Sequence, residues 1–243
     1  MDARLTVPVA ERLDALRGWV DRAQPRMTVS VEGGDVIAAG RYDLRSELPG
    51  HPEGAVLSSF DLRLVLPPEV GRTGPEIFET GERIPRVDAR HVDDDGCCCI
   101  CVYPIWRATA RDRRYIAFLD DPLRNFLIGQ VAVEEGLDWP FGEYRHGSEG
   151  AIQAASEFLG CEARARTVRD VLALLPHLRA RGRSIAYRTC PCGTGRVLER
   201  CCFERLHALS LRVAEEDTAA LAEEIERHAR KLKGLEPRLG RAA

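Results

Sequence analysis

Residues 55–106 decide the fold. The stretch opens with Ala55-Val-Leu-Ser-Ser-Phe-Asp-Leu-Arg-Leu-Val-Leu-Pro67-Pro68 and closes with Asp95-Gly-Cys-Cys-Cys-Ile-Cys-Val-Tyr-Pro-Ile-Trp106. In its first part Phe60, Leu62, Leu64 and Leu66 alternate with Ser59, Asp61 and Arg63. A period of two describes a strand with one face on a core. Pro67-Pro68 stops that strand, because proline offers no N–H to a ladder. Glu76-Ile-Phe-Glu-Thr80 supplies a second, shorter run. His91, the acidic turn Asp93-Asp94-Asp95-Gly96, a cysteine cluster and Trp106 follow.

Upstream, Leu13, Leu16 and Val20 share one helical face, which predicts an amphipathic helix from Val9 to about Asp21, ended by Pro25. Thr28–Val31 and Val36–Tyr42 read as two strands around a turn carrying Gly33 and Gly34. Downstream, Asp121-Pro122 is an N-cap followed by proline at the first helical position. The stripe Leu123, Phe126, Leu127 and Val131 carries that helix to about Glu135, and Gly136 closes it. A loop rich in aromatics, Asp138-Trp-Pro-Phe-Gly-Glu-Tyr-Arg-His146-Gly-Ser148, precedes a helix capped by Ser148 and running through Leu159. Thr167 caps another through Leu175. From Phe203 to about Lys233, the stripe Leu206, Leu209, Val213, Leu221, Ile225 and Leu232 fits one or two helices. The class expected is α+β: an antiparallel meander with flanking helices, then a small cysteine knuckle and a C-terminal helix.

Length, 243 residues, suits one ordinary domain and an appendage. Net charge is −3 with both signs interspersed, so no nucleic-acid groove is expected. No apolar run approaches the roughly 20 residues that span a bilayer, and Met1-Asp-Ala-Arg-Leu5 is no signal peptide. Nine cysteines without a secretion signal fit a reducing, cytoplasmic setting, where thiols serve as metal ligands, nucleophiles or core residues.

The cysteines fall into two groups. Strand alternation would set Cys97, Cys99 and Cys101 on one side and Cys98, Ile100 and Val102 on the other. Neighbouring strand residues cannot converge on one ion, so this run is better suited to a thiol nucleophile than to a metal. A redox-sensing use of the run would need its cysteines to pair or bind metal. Cys190-x-Cys192-x8-Cys201-Cys202 instead supplies four soft donors from two short knuckles, enough for a tetrahedral structural zinc site. Gly193 and Gly195 permit the tight backbone between them.

Two resemblances sharpen this reading. Leu66-Pro67, Gly74-Pro75, His91, Asp95-Gly96, Cys98-Cys99-Ile100 and Trp106, in that order, resemble the landmarks of the ubiquitin-conjugating enzymes, over roughly residues 10–135. Cys190-Pro-Cys-Gly-Thr-Gly followed by Cys201-Cys202 resembles the SEC-C motif, with Thr194 in place of serine. The resemblances imply a ubiquitin-conjugating-enzyme-like domain over 1–163, a helical linker over 164–189, a zinc knuckle over 190–203 and a helical tail over 204–243. They also imply a thioester carrier that accepts the C-terminus of a ubiquitin-like protein and passes it to an amine or a partner protein.

Counting from the turn glycine places the carrier at Cys99; counting from His91 places it nearer Cys101. The family's His-Pro-Asn asparagine, an oxyanion donor, is replaced here by Asp93, whose carboxylate cannot donate unless protonated. His146 is a candidate stand-in or general base, and His91 a residue that orients the loop. No phosphate-cradling loop is present, so a separate activating enzyme is expected to load the thiol. Membrane and nucleic-acid partners are not expected. The resemblance extends to conjugating proteins of bacterial anti-phage operons. The alternative is a catalytically inactive scaffold of the same fold that binds proteins through its knuckle.

Overall fold

A computed structural model describes residues 6–45, 56–141, 147–160, 186–190, 192 and 194–235. The chain divides into two units, one formed by residues 1–103 and 111–143, the other by 104–110 and 144–243.

The first unit is a helix followed by a meander. Helix α1 (Val9–Ala23) buries Arg12, Leu16, Trp19 and Val20. Strands β1 (Met27–Glu32), β2 (Asp35–Arg45), β3 (Val56–Leu66) and β4 (Glu76–Glu79) form an antiparallel sheet in the order β1-β2-β3-β4. Gly33 and Gly34 join β1 to β2 as a two-residue turn with φ of 59° and 99°. Two left-handed residues suit such a tight hairpin, because their twist matches that of the flanking strands. Val36 faces Leu66 and Leu62 faces Glu79 across the next two ladders.

The expected alternation in β3 is present: Phe60, Leu62, Leu64 and Leu66 are buried. Val65 is buried as well, so the C-terminal end of the strand is covered on both faces. The α1 stripe differs from expectation: Leu13 is half-buried, and Arg12 and Trp19 join Leu16 and Val20 on the buried face. Arg12 lies in it, only 1% exposed, and donates to the carbonyls of Val7, Leu66 and Gly34. A buried charge is tolerated there because its donors are satisfied by backbone acceptors. Trp19 stacks on Tyr42 with centroids 6.2 Å apart and donates its indole N–H to Asp120 at 2.7 Å.

Helix α2 (Val70–Thr73) is a single turn after Pro67-Pro68. Helix α3 (Tyr103–Thr109) crosses from the first unit into the second, and α4 (Ala117–Asp120) precedes α5 (Pro122–Glu134), which begins on the expected proline. Leu123, Phe126, Leu127 and Gln130 form the buried side of α5. Val131, expected on that side, is half-buried.

The second unit contains α6 (Gly147–Leu159), α7 (Phe203–Ser210) and α8 (Glu215–Leu235). The tail is therefore two helices, broken at residues 211–214. Arg107 of α3 binds the carboxylate of Asp217, which is 2% exposed, and lies 3.8 Å from Glu216. The helix expected over Thr167–Leu175 lies outside the described residues. Among the described residues, no helix is long and apolar enough to cross a membrane.

Candidate functional site

The first cysteine group sits on a small hairpin at the edge of the sheet. Gly96 N–H donates to Asp93 O at 2.8 Å and Asp93 N–H to Cys97 O at 2.9 Å, which closes the acidic turn. Gly96 has φ of +86°, and a Cβ there would lie 2.6 Å from Glu79 O. Only glycine meets both demands without strain. Val92 pairs with Cys98, and Cys99 N–H donates to His91 O at 2.8 Å. On the other side, Glu79 N–H binds Gly96 O and Cys98 N–H binds Ile77 O, so the cysteine arm adds a short rung to β4.

The strand expected through Val102 does not continue. Only Cys97 and Cys98 form bridges. Extending the antiparallel register would bring Ile100 opposite Pro75, which has no N–H and caps the short β4. Burial still alternates where the ladder has ended: Cys98 is buried and Ile100 and Val102 half-buried, while Cys97 is half-buried and Cys99 and Cys101 are exposed.

Environment separates the thiols further. Desolvation, with the negative charges of Asp95, Asp93 and Glu76, pushes Cys97 up to about 11. Burial pushes Cys98 up to about 12 against a bond from the Glu79 backbone. Cys101 retains surface as a residue, yet surrounding protein desolvates its thiol and raises it to about 12, with Cys99 and Asp121 adding to the rise. Cys99 is an exposed residue at the end of the paired segment.

The loop bearing His91 is held from behind by α5. Gln130, fully buried, donates its amide to Arg90 O at 2.7 Å and accepts from Arg90 Nε at 2.7 Å. Arg90 Nη2 also donates to Gln130 O at 3.1 Å and lies 3.9 Å from Glu134. His91 itself is left-handed, with φ of 53°, and its ring lies 5.5 Å from Trp139. Asp93 is exposed and contributes its backbone to the turn. Beside it runs an open depression of about 430 Å³ lined by Arg86, Asp88, Val92, Asp93, Asp94 and Asp95. The structure thus joins His91 to Cys99 through the backbone and sets Asp93 opposite Cys97. His146 lies outside the described residues.

The second group converges. Thr189 pairs with Val197, Cys190 N–H donates to Arg196 O at 2.7 Å and Leu198 N–H to Arg188 O at 2.8 Å, which makes a tight hairpin presenting Cys190 and Cys192. A short 3-10 turn (Leu198–Arg200) then delivers Cys201, and Cys202 stands at the N-cap of α7. The four Sγ atoms all lie within 4.8 Å of one another, a set that could hold a metal ion. Neighbouring pairs are 3.3 Å (Cys190–Cys192), 3.4 Å (Cys192–Cys201) and 3.8 Å (Cys201–Cys202) apart. Burial raises the Cys190 thiol. Burial would raise Cys192 too, but hydrogen bonds from Thr194, Cys190 and Cys201 outweigh it and hold this thiol at about 6.

Sequence reasoning missed Arg90 and Gln130, and it named Thr194 as a motif variation without giving its hydroxyl a role. A signal for Gln130 existed: Leu123, Phe126, Leu127 and Gln130 follow the i, i+3, i+4, i+7 spacing of one helical face, so a polar side chain was due on the buried side. No protein family, curated protein or solved structure matches this chain.

Proposed function

We propose that this chain is a cysteine acyl carrier of the ubiquitin-conjugating type, loaded at Cys99 by a separate activating enzyme, and that its knuckle holds a structural zinc ion. The observation that carries the first part is the contrast within one short run. Cys98 is buried and Cys97 half-buried, while Cys99 is exposed and, unlike the exposed Cys101 beyond it, is tied by its backbone N–H to His91 O at the end of the paired hairpin. A carrier thiol must be reachable by two large partners in turn and must keep its position between them.

The chemistry has two steps. The Cys99 sulfur attacks the thioester carbonyl of a ubiquitin-like C-terminus, a new C–S bond forms, and the activating enzyme's thiol departs with the proton. An amine nitrogen then attacks the Cys99 thioester, an amide forms, and Cys99 leaves as a thiol. Asp93 does not supply an oxyanion donor while ionised, so the second step draws on another donor or on the acceptor protein. His91 orients the loop.

For the knuckle, a tetrahedron with metal–sulfur bonds of about 2.3 Å has sulfurs about 3.8 Å apart. The Cys201–Cys202 spacing of 3.8 Å equals that value, the Cys190–Cys192 and Cys192–Cys201 spacings of 3.3 and 3.4 Å fall slightly short of it, and all four sulfurs lie within 4.8 Å of one another. Four thiolates close the coordination shell, so the ion supplies folding free energy rather than catalysis.

The test is capture from the source cells of the wild type and Cys99→Ser, with and without reductant. A thiol-labile adduct on the wild type that becomes a reductant-resistant ester in Cys99→Ser supports acyl transfer. A second reading, an inactive scaffold that binds proteins through its knuckle, is favoured by the negative charge around the hairpin, where Asp93 and Asp95 oppose thiolate formation at Cys97. It prevails if neither form traps a covalent partner while Cys190→Ser loses non-covalent ones.

A further inference from the structure

We infer that Thr194 is a positioning residue for the four-thiol centre: its hydroxyl donates to Cys201 and Cys192 and sets how readily a bound ion is lost. The inference rests on the reading that the knuckle holds a metal.

Thr194 Oγ1 lies 3.2 Å from Cys201 Sγ and 3.4 Å from Cys192 Sγ, and those two sulfurs are 3.4 Å from each other. The three atoms form a nearly equilateral triangle. A hydroxyl both donates and accepts, but metal-bound cysteines are thiolates and only accept. With an ion in place the direction is therefore fixed: the hydroxyl is the donor, and its one proton serves either sulfur or is shared.

Burial says which sulfur gains most. Cys190, Cys192 and Cys202 are 2%, 3% and 5% exposed, whereas Cys201 is half-buried. An electrophile or competing ligand from solvent thus meets Cys201 first, and Thr194 stands beside it. A divalent ion with four thiolates carries two net negative charges, so the sulfurs are electron-rich and open to attack. A hydrogen bond to such a sulfur withdraws charge from it and lowers its nucleophilicity. The backbone supports this placement. Thr194 sits between the arms of the hairpin closed by Cys190 N–H to Arg196 O.

Thr194→Val removes the hydroxyl with little change in shape, and Thr194→Ser restores it. Full-length protein loaded with Co(II) reports the bond through its sulfur-to-cobalt charge-transfer band. That band moves to longer wavelength in Thr194→Val and stays at the wild-type position in Thr194→Ser. Zinc release on treatment with N-ethylmaleimide, followed by a metallochromic dye, is about tenfold faster in Thr194→Val, the low end of effects from groups that support metal ligands. Should the valine variant fail to fold, Thr194→Ala makes the same comparison. Wild-type band position and release rate in both apolar variants would overturn the inference and leave the metal reading intact. A wild-type protein that takes up neither cobalt nor zinc would overturn both.

Discussion

Replacing Gln130 with alanine would loosen the Cys99 hairpin from the helix behind it. Gln130 exchanges two 2.7 Å hydrogen bonds with Arg90, one to the backbone carbonyl and one from the guanidinium. Arg90 leads directly into His91, whose carbonyl receives the Cys99 N–H at 2.8 Å. Alanine leaves the part-buried Arg90 O without that donor, a loss of about 1–2 kcal/mol, below the cost for a fully buried acceptor. The guanidinium loses one charge-assisted bond but keeps the backbone carbonyl of residue 130, so the added cost is about 1 kcal/mol. A total of about 2–3 kcal/mol follows. Gln130→Glu tests the direction of the argument, because it retains an acceptor for Arg90 Nε and sets a carboxylate against Arg90 O. It should therefore fail to restore the lost donor. Amide hydrogen exchange at Cys99 is the assay: a loss of about 2 kcal/mol against local opening is about 30-fold faster exchange. Unchanged exchange at Cys99 in Gln130→Ala, with the urea midpoint also unmoved, would refute the reasoning.

Three further outcomes follow from the same geometry. Gly96→Ala should destabilise the first unit by at least about 1–3 kcal/mol, since it imposes strain at φ +86° and a clash with Glu79 O; an unchanged thermal midpoint would contradict this. Alkaline pH should weaken the first unit. The unfolded chain loses the Cys97 and Cys98 protons near pH 9, whereas the fold retains them to about 11 and 12, so their contribution is whole below pH 9 and falls as pH rises through those values. The double variant Cys97→Ala/Cys98→Ala should then show a shallower fall of the urea midpoint between pH 8 and pH 11, and an equal fall would oppose the assignment. Finally, metal analysis should give one ion per chain in the wild type and none in Cys190→Ser or Cys202→Ser, with a chelator removing exchange protection at the Cys190 amide; one ion retained in both variants would place it elsewhere.

Much of the meander was legible because its signals are local. Alternation over Phe60–Leu66, the Gly33-Gly34 turn and the proline start of α5 each act within a few residues, although Asp121 stands at the N-cap position without a side-chain cap bond. The convergence of Cys190, Cys192, Cys201 and Cys202 was legible from spacing alone, since two short knuckles restrict where four sulfurs can go. The short helices between residues 103 and 120 were not, although Tyr103-Pro104 carries a helix-start proline that the landmark Trp106 overshadowed. The end of the cysteine strand depended on a pairing partner over twenty residues away: β4 begins only after Pro75, and no local feature of Cys97–Val102 announces that. The partners of Arg12 and Gln130 were hidden for the same reason, although helical spacing does place Gln130 on the buried face. Their partners are backbone carbonyls brought up by the tertiary fold, which a hydrophobic periodicity does not count.

The measurement closest to the central claim is intact and peptide mass analysis of purified protein, recovered from cells that supply its activating enzyme, before and after dithiothreitol. The account predicts a protein adduct mapped to Cys99, released by dithiothreitol, absent from Cys99→Ala and resistant to reductant in Cys99→Ser. An adduct on Cys101 or Cys97, or no adduct in the presence of a competent activating enzyme, would contradict it.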